Sequence, residues 1–407
     1  MKTSESEVVK VFQDDVEFLV SKDGMLRGIF TLKNQEAREI IIPEMFEPGK
    51  YITSIGSNVC YREFEKIIIP NTVTTIMPQA FNEATVGEVV WSSSCKEIPE
   101  DCFRGSSITK ISNIEDVEKV GVGAFKDSNI REMEWPKKCK HIPMLCFCGS
   151  ELVKLSQTKD VEKIGRSAFR ECCLKMFAWP PNCKTVPKYC FFASRLEEIW
   201  GIENVEKIEE SAFGESSLYF FCWPKGCTAI PDRCFYNCSY LQEVTCIEDV
   251  EEIGDEAFYA SHIEHFDWPK KCKEIPYKCF RTSWLTSISG IEGVEEIDEA
   301  AFANTSLTEI AWPDNCGIIP QDCFYNCVKL KKISNTKSVW SVERKAFRST
   351  GFDETNKLDL SESAVSDIGV EAFELLRKEA VVLPYYISND IAEKAFVDLN
   401  GEYSIPF

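Results

Sequence analysis

A tandem repeat governs what this chain can fold into. Tryptophans recur at Trp91, Trp135, Trp179, Trp223, Trp268 and Trp312, separated by four intervals of 44 residues and one of 45. In the same frame lie Phe103, Phe147, Phe191, Phe235, Phe280 and Phe324. A second series, Ala-Phe, falls midway at Phe81, Phe125, Phe169, Phe213, Phe258, Phe302 and Phe347. The unit is therefore about 22 residues, used in two alternating versions. A period this short leaves no room for two helices and a turn, but it suits one strand and a return segment. No such unit can bury its apolar side alone, so the units must stack on one another.

The first version reads L-x-x-I-x-W-P-x-x-C-x-x-I-P-x-x-C-F, as in Leu307 through Phe324. The second replaces the tryptophan and places V, I and A-F at the later apolar positions, as in Leu241 through Phe258. The earliest clear copy is plainer: Phe64, Ile67, Ile69-Pro70, Val73, Ile76 and Ala80-Phe81. This pattern resembles the BspA-type leucine-rich repeat family, whose units carry L-x-x-I-x-I-P-x-x-V-x-x-I-G-x-x-A-F. The resemblance covers roughly residues 40–396. It implies a repeat solenoid of the leucine-rich type: one curved, right-handed coil stack with a parallel β-sheet on one face and irregular or short-helical return segments.

Ends of a solenoid need covering, because an open core edge invites stacking with another chain. Val16 to Val20 alternates, Lys22-Asp23-Gly24 carries a turn signal and Met25 to Leu32 returns, which predicts an N-terminal β-hairpin cap within residues 1–39. The solenoid is assigned to residues 40–396 and a C-terminal cap to 397–407, all in a single structural domain.

Alternation along the strand turns Ile310 and Trp312 inward and Glu309 and Ala311 outward. Proline after the tryptophan ends the ladder, having no N–H to donate. The intervening coils carry Asn113, Gln157, Gly201, Cys246, Gly290 or Asn335 at the tryptophan position, expected as smaller inward neighbours of each indole.

Most of the 20 cysteines follow the repeat. Cys95, Cys139, Cys183, Cys227, Cys272 and Cys316 take its valine position, and Cys102, Cys146, Cys190, Cys234, Cys279 and Cys323 its alanine position. They read as free thiols acting as small buried hydrophobes. A disulfide ladder joining the two cysteines of each coil is the alternative. No CxxC pair or zinc-type spacing occurs, so neither a metal nor a cofactor is expected.

A formal charge of −20, from 66 acidic and 46 basic side chains, argues against nucleic acid as a partner. No run approaches the length of a membrane span. The opening residues Met1 to Glu7 lack a secretory apolar core, which favours the cytoplasm; the family resemblance suggests a surface-associated or leaderless secreted location instead. Turns of opposite charge in adjacent coils are expected to set Glu118 beside Lys140 and Glu251 beside Lys273.

The outward strand positions carry the functional reading. Near the ends they hold Thr109, Lys110 and Ser112, or Lys331, Lys332 and Ser334. In central coils they hold Met176, Trp200, Tyr219 and Phe220, expected to form an exposed patch with Glu198 and His265 at its rim. Aromatic and methionine anchors ringed by polar groups mark interface centres. The family resemblance implies a recognition surface, so the expected role is an adhesion-like module for a protein partner, acting as a monomer or weak homo-oligomer. An array-forming structural protein is the alternative. Catalysis is not expected: the three histidines are scattered, and the carboxylates recur with the repeat as solvating groups would.

Overall fold

The computed structural model describes residues 8–13, 16–31 and 37–396. The chain is a parallel-strand β-solenoid of about 15 turns with little helix. It divides into two compact units, Met1–Asn204 and Val205–Phe407.

In the first unit, Val16–Ser21 and Met25–Thr31 form the antiparallel hairpin, and Val8–Gln13 adds a third strand along Val16–Ser21. The turn depends on Gly24: its φ is +83°, and a Cβ there would lie 2.5 Å from the Tyr51 carbonyl oxygen. Met25–Leu26 then pairs in parallel with Ser54–Ile55, which joins the hairpin to the coil stack. Beside it, Ala37–Ile41, Phe64–Ile68, Val86–Val90 and Lys110–Ser112 make a four-stranded parallel sheet.

From there each coil gives three residues to the main ladder, for example Glu132–Glu134 paired with Lys154–Ser156. To this sheet the structure adds a second ladder in the return segments, two residues per coil, such as His141–Ile142 against Lys163–Ile164. The second unit repeats the scheme from Phe220–Cys222 against Glu243–Thr245 to Leu358–Asp359 against Val381–Val382. Its last described element is the helix Asn389–Phe396, whose Phe396 ring packs 5.3 Å from Phe373. The expected cap at 397–407 lies outside the described residues.

The core explains the repeat. Phe103, Phe125, Phe147 and Phe169 stack nearly parallel, with centroids 5.5, 5.5 and 5.8 Å apart. Phe235, Phe258 and Phe280 do the same in the second unit, at 5.7 and 5.4 Å. Backbone hydrogen bonds lock this column, since Phe125 N–H donates to the Cys146 carbonyl at 3.0 Å and Phe147 N–H to that of Ala168 at 2.8 Å. All six repeat tryptophans are buried. Each indole N–H donates to the carbonyl of the cysteine four residues on, from Trp91–Cys95 at 3.2 Å to Trp312–Cys316 at 2.8 Å. This bond satisfies the one polar atom of a buried indole; its acceptor is a backbone carbonyl, which any residue at the cysteine position would supply.

Two expectations are corrected here. Asn113, Gln157, Gly201, Cys246, Gly290 and Asn335 are not inward neighbours of the indoles: all have positive φ, between 60° and 76°, and none is buried. They form left-handed corners that end the strand, a conformation open to glycine and tolerated by asparagine. Asn113 and Asn335 use their amides to donate to the carbonyls of Trp91 and Trp312, at 2.5 and 2.7 Å. The cross-coil ion pairs also fall two residues from the expected ones. Asp116 meets Lys138 at 2.6 Å and Asp249 meets Lys271 at 2.9 Å, because the turn apex, not its exit, projects toward the next coil. These pairs are solvent-exposed and add little to stability.

Two outcomes follow from this core. Phe147→Ala removes one member of a continuous column and should cost about 3–5 kcal/mol in thermal or denaturant unfolding, whereas exposed Met176→Ala should stay within about 0.5 kcal/mol. Burial also holds the thiols of Cys102, Cys146, Cys190, Cys234, Cys279 and Cys323 well above the ordinary value of 9.0. Above that pH the unfolded chain releases protons that the folded chain keeps, so stability is intact below about pH 9 and falls as pH rises through the thiol range. Melting temperatures across that range should show the fall, and Cys146→Ala/Cys190→Ala should make it shallower.

Candidate functional face

Strand alternation decides which residues can reach a partner. In Met176–Ala178 the middle residue, Phe177, is buried while Met176 and Ala178 are exposed. The neighbouring strand Glu198–Trp200 pairs in register, so Met176 faces Glu198 and Ala178 faces Trp200. Met176 and Trp200 are 57% and 46% exposed, and the alanine leaves the indole without a bulky rung-mate. The first unit thus brings Met176, Glu198 and Trp200 together on one surface.

In the second unit, Tyr219 and Phe220 are consecutive, and Phe220 is 60% exposed. Tyr219 packs on Tyr240 with centroids 5.7 Å apart. Phe220 faces Glu243 across the ladder and lines a groove of about 900 Å³ together with Glu243, Cys246, His262, Glu264, His265 and Asp267. His265 is held through Nδ1, 2.7 Å from the Ser287 hydroxyl. So Phe220 and His265 share one groove, and Tyr219 immediately precedes the strand that carries Phe220.

One disulfide joins Cys222, on an outward position beside Phe220, to Cys246, with their Cα atoms 5.4 Å apart. This corrects the free-thiol expectation at these two positions. Cys246 sits at a left-handed corner outside the core, where its sulfur meets Cys222 of the preceding coil. The other 18 cysteines are free, including both members of every pair seven residues apart, so no ladder of bridges forms within the coils.

Comparison with known proteins matches this geometry to a family. The model of the BspA type leucine rich repeat region matches in overlapping stretches from residue 53 to residue 402. The chain belongs to the BspA-type leucine-rich repeat family. A leucine-rich repeat protein from Bacteroides ovatus superposes with a TM-score of 0.67 at 20% identity, over 89% of this chain and 91% of that one. A leucine rich cell surface protein from Faecalibacterium prausnitzii aligns over 97% and 99% of the two chains at 18% identity, with a TM-score of 0.47. No curated protein matches the sequence. Among the described residues no helix is long and apolar enough to cross a membrane, and no group of three or more His, Cys, Asp or Glu could hold a metal ion.

The BspA-type frame also exposes residues that sequence reasoning missed. The position just before the first leucine or isoleucine of each unit holds Ser107, Asn129, Glu151, Cys173 and Arg195 in the first unit. In three successive coils of the second unit it holds Tyr240, His262 and Trp284. Tyr240 and Trp284 are more than half exposed, and Trp284 stacks on His262 at 4.4 Å. Comparing that single column across coils would have found them, but it lies outside the strand positions on which attention rests.

Peptide mapping under non-reducing conditions should recover Cys222 and Cys246 in one linked species. Thiol titration of the unfolded, unreduced chain should count 18 groups. Finding 20 would remove the bridge from the native protein.

Proposed function

We propose that this chain is a protein-recognition module, adhesion-like in character, that uses the outward face of its main ladder. Met176, Trp200 and Glu198 in the first unit, and Tyr219, Phe220 and His265 in the second, are its contact residues. One observation carries the reading: large apolar side chains stand exposed on strand positions that elsewhere in the same repeat hold threonine, lysine and serine. Nothing in the folding of the coil asks for them, since Met176, Trp200 and Phe220 lie on the exposed side of their strands and Tyr219 just before one. Rigid aromatic anchors with polar neighbours supply most of the energy of protein interfaces. Leucine-rich repeat solenoids generally serve as binding surfaces, which agrees with this use.

The Cys222–Cys246 bridge favours a surface-associated location over the cytoplasm, because disulfides persist in oxidising compartments. It also stiffens the strand that presents Phe220, lowering the ordering cost of binding.

Trp200→Ala and Phe220→Ala should each keep the circular-dichroism spectrum and melting temperature while weakening partner capture by about tenfold or more. Lys119→Ala, on the return ladder, should leave capture unchanged. Folded face variants with undiminished capture would overturn the reading. Concentration-dependent self-association that the same variants abolish would favour an array-forming role.

A further inference from the structure

Some carboxylates on or beside the main ladder are neutralised by an adjacent coil. Glu88 meets Lys110 at 3.0 Å, Glu197 meets Lys175 at 2.7 Å and Glu309 meets Lys332 at 2.9 Å. The groove over Phe220 gathers carboxylates that are not neutralised in this way. Among the described residues, Glu243, Glu248, Glu264 and Asp267 all line it and none makes an ion pair. Glu243 faces Phe220 across the ladder, and Asp267 faces Ser289, from which it accepts a hydroxyl hydrogen bond. Lys270 is the one lysine or arginine in the lining.

An independent feature flanks this charge. Tyr240, His262 and Trp284 occupy one repeat position in three consecutive coils, with His262 itself part of the groove wall. Phe220 and Trp284 are 60% and 58% exposed. Open aromatic faces beside uncompensated carboxylates favour cationic side chains, which rings attract through their quadrupoles and carboxylates through charge and hydrogen bonds. The groove crosses three adjacent strands, Phe220–Cys222, Glu243–Thr245 and His265–Asp267, so it suits an elongated occupant. A bare metal ion does not fit, since no three ligating side chains converge. A polyanion is repelled.

We propose that this groove docks an extended, basic polypeptide segment of the partner, its lysine or arginine side chains lying among Glu243, Glu264 and Asp267 and over the rings of Phe220 and Trp284. The assignment rests on the recognition role proposed above and names the chemistry of its partner.

Fluorescence anisotropy of the full chain with a labelled peptide alternating lysine and alanine tests it, alongside a peptide alternating glutamate and alanine and a neutral glucan oligosaccharide. The lysine peptide should bind and the other two should not. Glu243→Gln/Glu264→Gln/Asp267→Asn should weaken lysine-peptide binding on the order of tenfold or more, as should added salt. Trp284→Ala, at an exposed ring, should weaken it severalfold without changing the melting temperature. No binding of the lysine peptide, equal binding by the neutralised variant, or preference for the oligosaccharide would overturn the proposal. The recognition role is judged separately: Trp200→Ala and Phe220→Ala that still abolish capture, with the lysine peptide inert, would remove only the basic-partner assignment. Loss of both effects would remove the recognition role as well.

Discussion

Each coil of this protein is held in shape by its neighbours. A single turn offers three residues to one ladder and two to the other, with a phenylalanine and an indole or its substitute inside. That is too little apolar surface to offset the entropy of ordering about 22 residues. Stacking changes the balance. Ring columns such as Phe103–Phe125–Phe147 and the backbone bonds running beside them give every coil two partners and make its core continuous with theirs. Stability in such a molecule is a sum over neighbour interfaces, which is why the apolar positions repeat so strictly.

That dependence also separates inside from outside. The positions that bind one coil to the next are the inward residues and the backbone. The outward residues join coils only through exposed ion pairs and one disulfide, so most of them can change without loss of the fold. Rows of lysine, threonine and serine mark stretches where solvation suffices. Met176 and Trp200 in one unit, and Tyr219, Phe220, Tyr240 and Trp284 in the other, mark stretches where something else has been selected. The disulfide belongs to this outer layer too, joining Cys222 and Cys246 on the strand face while the core thiols stay protonated by burial.

The solenoid, its inward and outward sides and the N-terminal hairpin were all legible in residue spacing, because period and alternation report burial directly. Other features were not. Asn113 and Gly201 looked like compact core residues, since a spacing argument cannot distinguish a small side chain that fills space from one that permits a left-handed backbone. The partner of Asp116 depended on where a turn apex projects, which is a three-dimensional quantity. Cys222 and Cys246 are 24 residues apart and outside the valine and alanine positions that hold twelve of the other cysteines. Exposed aromatics on the strand could be named from alternation alone. The row Tyr240–His262–Trp284 could not, because it lies before the strand, where no period predicts the direction of a side chain.

The two-coil alternation sets a rule for how a protein like this can change length. A tryptophan coil leaves a strand-end carbonyl that the following coil covers with a left-handed corner, through the Asn113 amide over Trp91 and the Asn335 amide over Trp312. Deleting one corner-bearing coil would set two tryptophan coils together, with that cover missing. Deleting or duplicating two coils preserves every junction. Gene-level growth and shrinkage of this solenoid is therefore quantised in double turns, and the reach of its outer face can be adjusted in that step without redesigning what lies beneath.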